Sequence, residues 1–198
     1  MREIVPGVWS WSWLSPPHGY NFNGHLLLDA AGGICVDPVQ LTAEAEAKLR
    51  EYRVAAIVLT NRNHVRDANR VREITGARTL IHPADADYAR SQGAILDGEL
   101  SVDQTLGPLR VVAAPGKSPG EVALHWPVRR MLIVGDAVIG NPPGRCSLLR
   151  EKVMDDPPRL RDSVSVLAEL DVDTLLVGDG EPILAGAKER LRELVRGF

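Results

Sequence analysis

The sequence predicts an α/β chain of two β-rich halves, each closed by helices, arranged as a four-layer αββα sandwich. Three observations carry that expectation. Short apolar runs broken by turn residues fill the first forty positions, strand-sized runs then alternate with helical spacing, and a second β-rich stretch returns after Leu109 before a final helix, strand and helix.

The elements follow in order. Val8 to Trp13, His25 to Leu28 and Ile34 to Val36 read as antiparallel strands, with turns at Ser15–Asn21 and at Gly32-Gly33. Thr42 is an N-cap for a helix running to Tyr52, and Ala55 to Leu59 is a buried strand. Val65, Ala68, Val71 and Ile74 share a helical face that Gly76 closes before a strand at Arg78 to Ile81. A short helix is expected over Ala84 to Gly93, then strands at Leu109 to Ala113, Val122 to Trp126 and Met131 to Val134. Asp156 before Pro157 starts a helix with Leu160, Val164 and Leu167 on one face. Thr174 to Val177 is a buried strand, and Leu184, Ala187, Leu191 and Leu194 mark a terminal amphipathic helix.

At 198 residues the chain is read as one domain, 1–198, because halves of that size bury little core alone. A hydrophobic share of 44% with 25% charged residues is that of a globular protein, which sets aside disorder. No apolar run approaches the roughly 20 residues a membrane helix needs, and the expected location is the cytoplasm. A net charge of −3 with dispersed arginines gives no basic field for nucleic acid. Two cysteines, Cys35 and Cys146, are too few for a disulfide framework and are read as thiols.

Five segments stand out: Asn23 to Asp37 (NGHLLLDAAGGICVD), Leu59 to Asp67 (LTNRNHVRD), Ala114 to Leu124 (APGKSPGEVAL), Val134 to Asp136 (VGD) and Gly178 to Pro182 (GDGEP). In order and frame they resemble the landmarks of the metallo-β-lactamase superfamily, whose second, third and fifth motifs are similar to T-H-x-H-x-D-H, P-G-H-T-P-G and G-H-G. The resemblance implies two mixed sheets flanked by helices and a hydrolase ancestry. The frames persist while the ligands change. Aligned from Thr60, the expected metal ligands fall on Asn61, Asn63, Val65 and Arg66, the third-motif His on Lys117 and the last His on Asp179; Asp136 keeps the family identity.

Zinc sites are built from imidazole, thiolate and carboxylate, so amides, Val and cationic side chains in those places disfavour a paired-zinc centre. The leading reading is therefore a metal-free pocket in which Lys117 lies between Asp136 and Asp179, with Asn61 and Asn63 as amide partners. The competing reading shifts the second motif by one residue and uses His64, Asp67, Asp136 and Asp179 to hold one divalent ion, with manganese, iron or zinc as the cofactor. That ion would serve hydrolysis of an ester, thioester or lactam, as the resemblance implies. A small molecule is the expected partner.

Other residues have plainer readings. Trp9, Trp11 and Trp13 share a strand face and are read as an inward-packing stripe, though such a stripe would also serve self-association. His18 and Tyr20 sit in a loop of the kind that overhangs sites in similar proteins, while His25, His82 and His125 are read as hydrogen-bonded structural residues. The loop Gly140 to Asp156, with Arg145, Arg150 and Lys152, is longer than ordinary connections and reads as either a functional rim or a solvated charged loop.

Overall fold

The computed structural model describes residues 1–30 and 32–198; Ala31, within the first landmark, lies outside the described residues. The chain divides into two compact units, Met1–Leu100 and Ser101–Phe198, each built on its own sheet.

In the first unit, β1 (Arg2–Val5), β2 (Val8–Ser15), β3 (Tyr20–Asp29) and β4 (Gly32–Val36) pair antiparallel in sequence order. Strands β5 (Val54–Val58), β6 (Arg78–Ile81) and β7 (Gly98–Glu99) then add in parallel. Parallel neighbours need long crossovers. Helices α1 (Ala43–Glu51), α2 (Ala68–Thr75) and α3 (Pro83–Ser91) provide them. Thr42 caps α1, accepting the Ala45 N–H at 3.1 Å, and Gly76 ends α2 in the left-handed region. The apolar faces of α1 and α2 meet the sheet in a core that includes Trp11, Leu26, Leu49, Ile57, Leu59, Val71 and Ile81.

Several expectations shift here. Gly32 and Gly33 open β4 instead of forming a turn, and the Gly33 N–H donates to the Arg53 carbonyl at 2.7 Å. Val65 precedes α2, because Arg66 adopts a positive φ of 38° that interrupts the helix. The tryptophan stripe divides. Trp11 is 4% exposed and donates its indole N–H to the Val39 carbonyl at 3.1 Å, whereas Trp13 is 40% exposed. Strand β4 pairs with β3 only from His25 onward, so among the described residues the Trp13 end of the β2–β3 ribbon has no third strand beside it.

In the second unit the sheet order is β12 (Thr174–Val177), β11 (Met131–Val134), β10 (Val122–Trp126), β9 (Leu109–Ala113) and β8 (Thr105–Leu106). The β11–β12 pair is parallel and the others are antiparallel. Helix α4 (Pro157–Glu169) starts at Asp156, whose carboxylate accepts the Arg159 N–H at 3.0 Å; helix α5 (Ala187–Val195) ends the chain. Leu160, Val164 and Leu167 of α4 and Ala187 and Leu191 of α5 pack with Leu132, Val134, Leu175 and Val177. Leu184 lies outside α5 and is 42% exposed, because Gly186 takes the left-handed turn from which the helix starts.

Both sheets are mixed and helices flank them, five α-helices among the described residues, which is the α/β class the sequence predicts. No helix among the described residues is long and apolar enough to cross a membrane.

Candidate functional site

Apart from Lys117, which lies between the antiparallel β9 and β10, the candidate residues of each unit follow the carboxyl ends of parallel strands, where open α/β sheets characteristically place their ligands. The strand register puts them there. In the first unit Val36 of β4 pairs with Val58 of β5, so Asp37 and the Thr60 turn emerge side by side. In the second, Val134 of β11 pairs with Val177 of β12, and the following loops carry Asp136 and Asp179 two residues beyond each.

Asp37, which sequence reasoning passed over as a site residue, organises the first cluster. It is 1% exposed and adopts φ +46°, and its carboxylate accepts the Thr60 N–H at 2.8 Å and the Thr60 hydroxyl at 2.6 Å. His64 Nδ1 lies 2.8 Å from the same carboxylate, and His64 Nε2 lies 3.1 Å from Arg66 Nη2. A guanidinium only donates, so Nε2 must be the acceptor in that contact. The ring proton therefore sits on Nδ1 and is given to Asp37. Burial by itself would raise the Asp37 pKa, but its interactions with His64, Arg66 and Thr60 more than offset this and hold it below the ordinary carboxylate value.

Arg66 also touches β3. Its guanidinium lies over the Phe22 ring, 4.6 Å from the centroid, and donates to the Asn23 carbonyl at 3.4 Å. The neighbouring candidates have other roles. Asn61 is buried and its side-chain oxygen accepts the Asn63 N–H at 2.8 Å, which closes the turn before His64. Asn63 itself is exposed. Asp67 accepts the Leu41 N–H at 2.8 Å and so ties the approach to α1 to the start of α2. Val65 belongs to the apolar core.

In the second unit, Lys117 Nζ lies 3.0 Å from Asp136 Oδ2, and both side chains are buried. The Lys117 loop is clasped by the residues that start α4. The Asp155 and Asp156 N–H groups donate to the carbonyls of Lys117 and Gly116 at 3.3 and 2.8 Å, and the Ser163 hydroxyl donates to the Pro115 carbonyl at 2.7 Å. Gly116 permits this approach. Its φ is +139°, and a Cβ there would fall 2.4 Å from the Leu160 backbone. Asp179 is buried, and its carbonyl accepts the Gly140 N–H at 2.9 Å, which fastens the β12 loop to the segment after Asp136. Ser118 and Glu121 are also buried in the Lys117 segment; the landmark Ala114 to Leu124 contains both without marking them.

Two of the remaining histidines, His18 and His82, have local partners. His18 Nδ1 lies 2.7 Å from the Ser15 hydroxyl, with the ring against Tyr20 and Phe22. His82 accepts the Ala84 N–H at 3.3 Å as the N-cap of α3, and His125 Nε2 lies 3.4 Å from the Asp171 carbonyl. His25 is buried in β3.

Comparison with known proteins agrees with this arrangement of elements. The chain resembles the metallo-β-lactamase from Pontibacter korlensis with a TM-score of 0.80 at 15% identity, over 100% of this chain and 98% of that one. It resembles TTHA1623 in a di-iron-bound form with a TM-score of 0.70 at 22% identity, over 91% and 98% of the two chains. The metallo-β-lactamase FIM-1 from Pseudomonas aeruginosa in its mono-zinc form gives a TM-score of 0.76 at 18% identity, over 98% and 93%. Identities this low speak for the fold alone. No curated protein matches the sequence. The family model described as metallo-beta-lactamase superfamily matches residues 2–198, which spans both units and every landmark, and the chain belongs to that superfamily.

Proposed function

We propose that this protein is a metal-independent member of the superfamily, of hydrolase ancestry, whose pocket residues bind a small molecule with built-in side-chain cations in place of the family's metal. One observation carries the reading: the two donors best suited to a metal are each engaged by a cation of their own unit, His64 Nε2 by Arg66 and Asp136 by Lys117. The residues present do not fit a paired-zinc centre. Val65 offers no donor, the Asn61 oxygen closes a turn, the Asp67 carboxylate holds a backbone amide, and Lys117 stands where the third motif has its histidine.

What these residues do without a metal follows from their chemistry. Asp37 holds the His64 ring with its Nε2 lone pair outward, and Arg66 donates to that lone pair. A ligand carbonyl or carboxylate that draws the Arg66 guanidinium away would leave Nε2 free to accept a proton. Lys117 supplies three N–H donors to an acidic surrounding and keeps Asp136 compensated while buried.

A second reading keeps one divalent ion, as the sequence resemblance allows, with the buried Asp136 and Asp179 of the second unit each offering a carboxylate oxygen. The di-iron and mono-zinc forms of the two similar proteins favour it. Elemental analysis of protein purified without chelator, repeated after incubation with zinc, manganese and iron(II), separates the two. The proposed reading expects folded protein with far less than one equivalent of any of the three. Retention of one equivalent through extensive dialysis would replace it with the mononuclear reading.

A further inference from the structure

The long loop after Asp136 shapes a second concavity that the candidate site does not use. It has a volume of about 680 Å³ and lies wholly in the second unit, between the 145–148 segment, α4 and the end of α5. That size falls within the roughly 300–1,000 Å³ of small-molecule pockets. Three arginines line it, Arg145, Arg161 and Arg190, beside the apolar side chains of Leu148, Leu194 and Phe198.

The charges are not equally occupied. Arg161 pairs with Glu151, and Arg190 places Nη1 2.7 and 2.8 Å from the two Glu193 oxygens. The Arg145 guanidinium has no hydrogen-bond or ion-pair partner among the described residues, although its backbone is well held by an N–H donated to the Pro142 carbonyl at 3.1 Å. The loop that carries it is anchored at both ends. Ile139 and Ser147 exchange backbone hydrogen bonds at 2.9 and 3.0 Å, and Asp155 and Asp156 bond to the Lys117 loop. An uncompensated arginine, carried on a held backbone and lining a partly apolar cavity, is an arrangement that receives one anionic head and its apolar body.

We infer that this cavity binds a small amphipathic anion, with a carboxylate or phosphate head on Arg145 and a short acyl or aromatic body against Leu148, Leu194 and Phe198. The inference is independent of whether the first site takes a metal. Cys146, which also lines the cavity, reports its occupancy. Burial and then Glu193 push that thiol up to about 12, so its alkylation is slow and easily protected, and Cys35 is fully buried and silent.

The test uses the full chain, with octanoate, octyl phosphate, octanol and inorganic phosphate as probes, followed by calorimetry and by the rate of Cys146 alkylation. Octanoate or octyl phosphate should bind at least tenfold more tightly than octanol and than inorganic phosphate, and should slow alkylation. The preferred head group identifies the source of the anion. Arg145→Ala, an exposed loop change, should weaken that binding about tenfold while leaving the melting temperature unchanged, the scale expected for one charge-assisted hydrogen bond. Equal binding of octanol, equal binding of inorganic phosphate, no binding of any probe, or an unaltered affinity in Arg145→Ala would each overturn the inference.

Discussion

Lys117 Nζ lies 3.0 Å from Asp136 Oδ2 inside the second unit, with the two side chains only 9% and 7% exposed. A pair so far out of water is stable only while both partners are present, since removal of one leaves the other charged and desolvated. Lys117→Ala should therefore destabilise the fold by about 3–5 kcal/mol in urea unfolding. Asp136→Asn together with Lys117→Met should recover much of that loss, because it removes both charges. An unchanged midpoint in Lys117→Ala would mean that Asp136 finds its compensation elsewhere.

Lys117→His restores the histidine of the family's third motif, yet it should raise metal uptake only slightly. Asn61, Asn63 and Val65 still stand where ligands are expected, and Asn63 is exposed. Zinc titration followed by dialysis is the measurement. Tight, stoichiometric retention by this variant would show that the remaining donors suffice and that Lys117 alone keeps the metal out.

Asp37→Asn keeps the shape of the side chain while removing the charge that orders Thr60 and His64. The amide would present its N–H groups either to the Thr60 N–H, which now donates to Oδ1, or to the Thr60 hydroxyl and His64 Nδ1–H, which now donate to Oδ2. A loss of about 2–4 kcal/mol is expected, the scale of broken buried hydrogen bonds to a charged group. Imidazole nitrogen chemical shifts should also show the His64 tautomer changing. Stability within a few tenths of a kcal/mol of the parent would count against Asp37 as the organiser of this cluster.

The acid limb of stability should carry a contribution from Asp97. The two-pronged Arg72 guanidinium, at 2.7 and 2.8 Å, and the Thr79 N–H at 2.9 Å lower its pKa to about 2. A carboxylate whose folded pKa is depressed adds stability above its unfolded value near 3.8, and that contribution is lost as pH falls toward about 2. Allowing for solvent screening of this half-exposed pair, the effect is about 1 kcal/mol. Unfolding curves of the parent should lose stability between pH 4 and pH 2 more steeply than those of Asp97→Asn. Identical slopes would assign the acid sensitivity to other carboxylates.

Much of the architecture was legible in the sequence because it depends on local chemistry. Thr42, Asp156 and Gly76 cap helices through bonds to backbone groups a few residues away, and the apolar strands β10, β11 and β12 are buried throughout, as short runs rich in Val, Leu and Ile announce. The landmark frames likewise located Lys117, Asp136 and Asp179, and all three are buried. Spacing alone did not distinguish Asn61, which turns inward to close a turn, from Asn63, which faces solvent.

The partners of those residues were decided by tertiary structure. That Asp37 meets His64 27 positions later follows from the parallel register of β4 and β5, and that Lys117 meets Asp136 follows from β10, which pairs antiparallel with β9 and β11 and so brings their carboxyl ends to one edge. The sequence by itself determined the class of fold and the superfamily frames. Only the folded chain decided that a buried aspartate faces the imidazole and that a lysine faces Asp136, because long-range electrostatic pairing depends on where strands end beside one another, which no local pattern encodes.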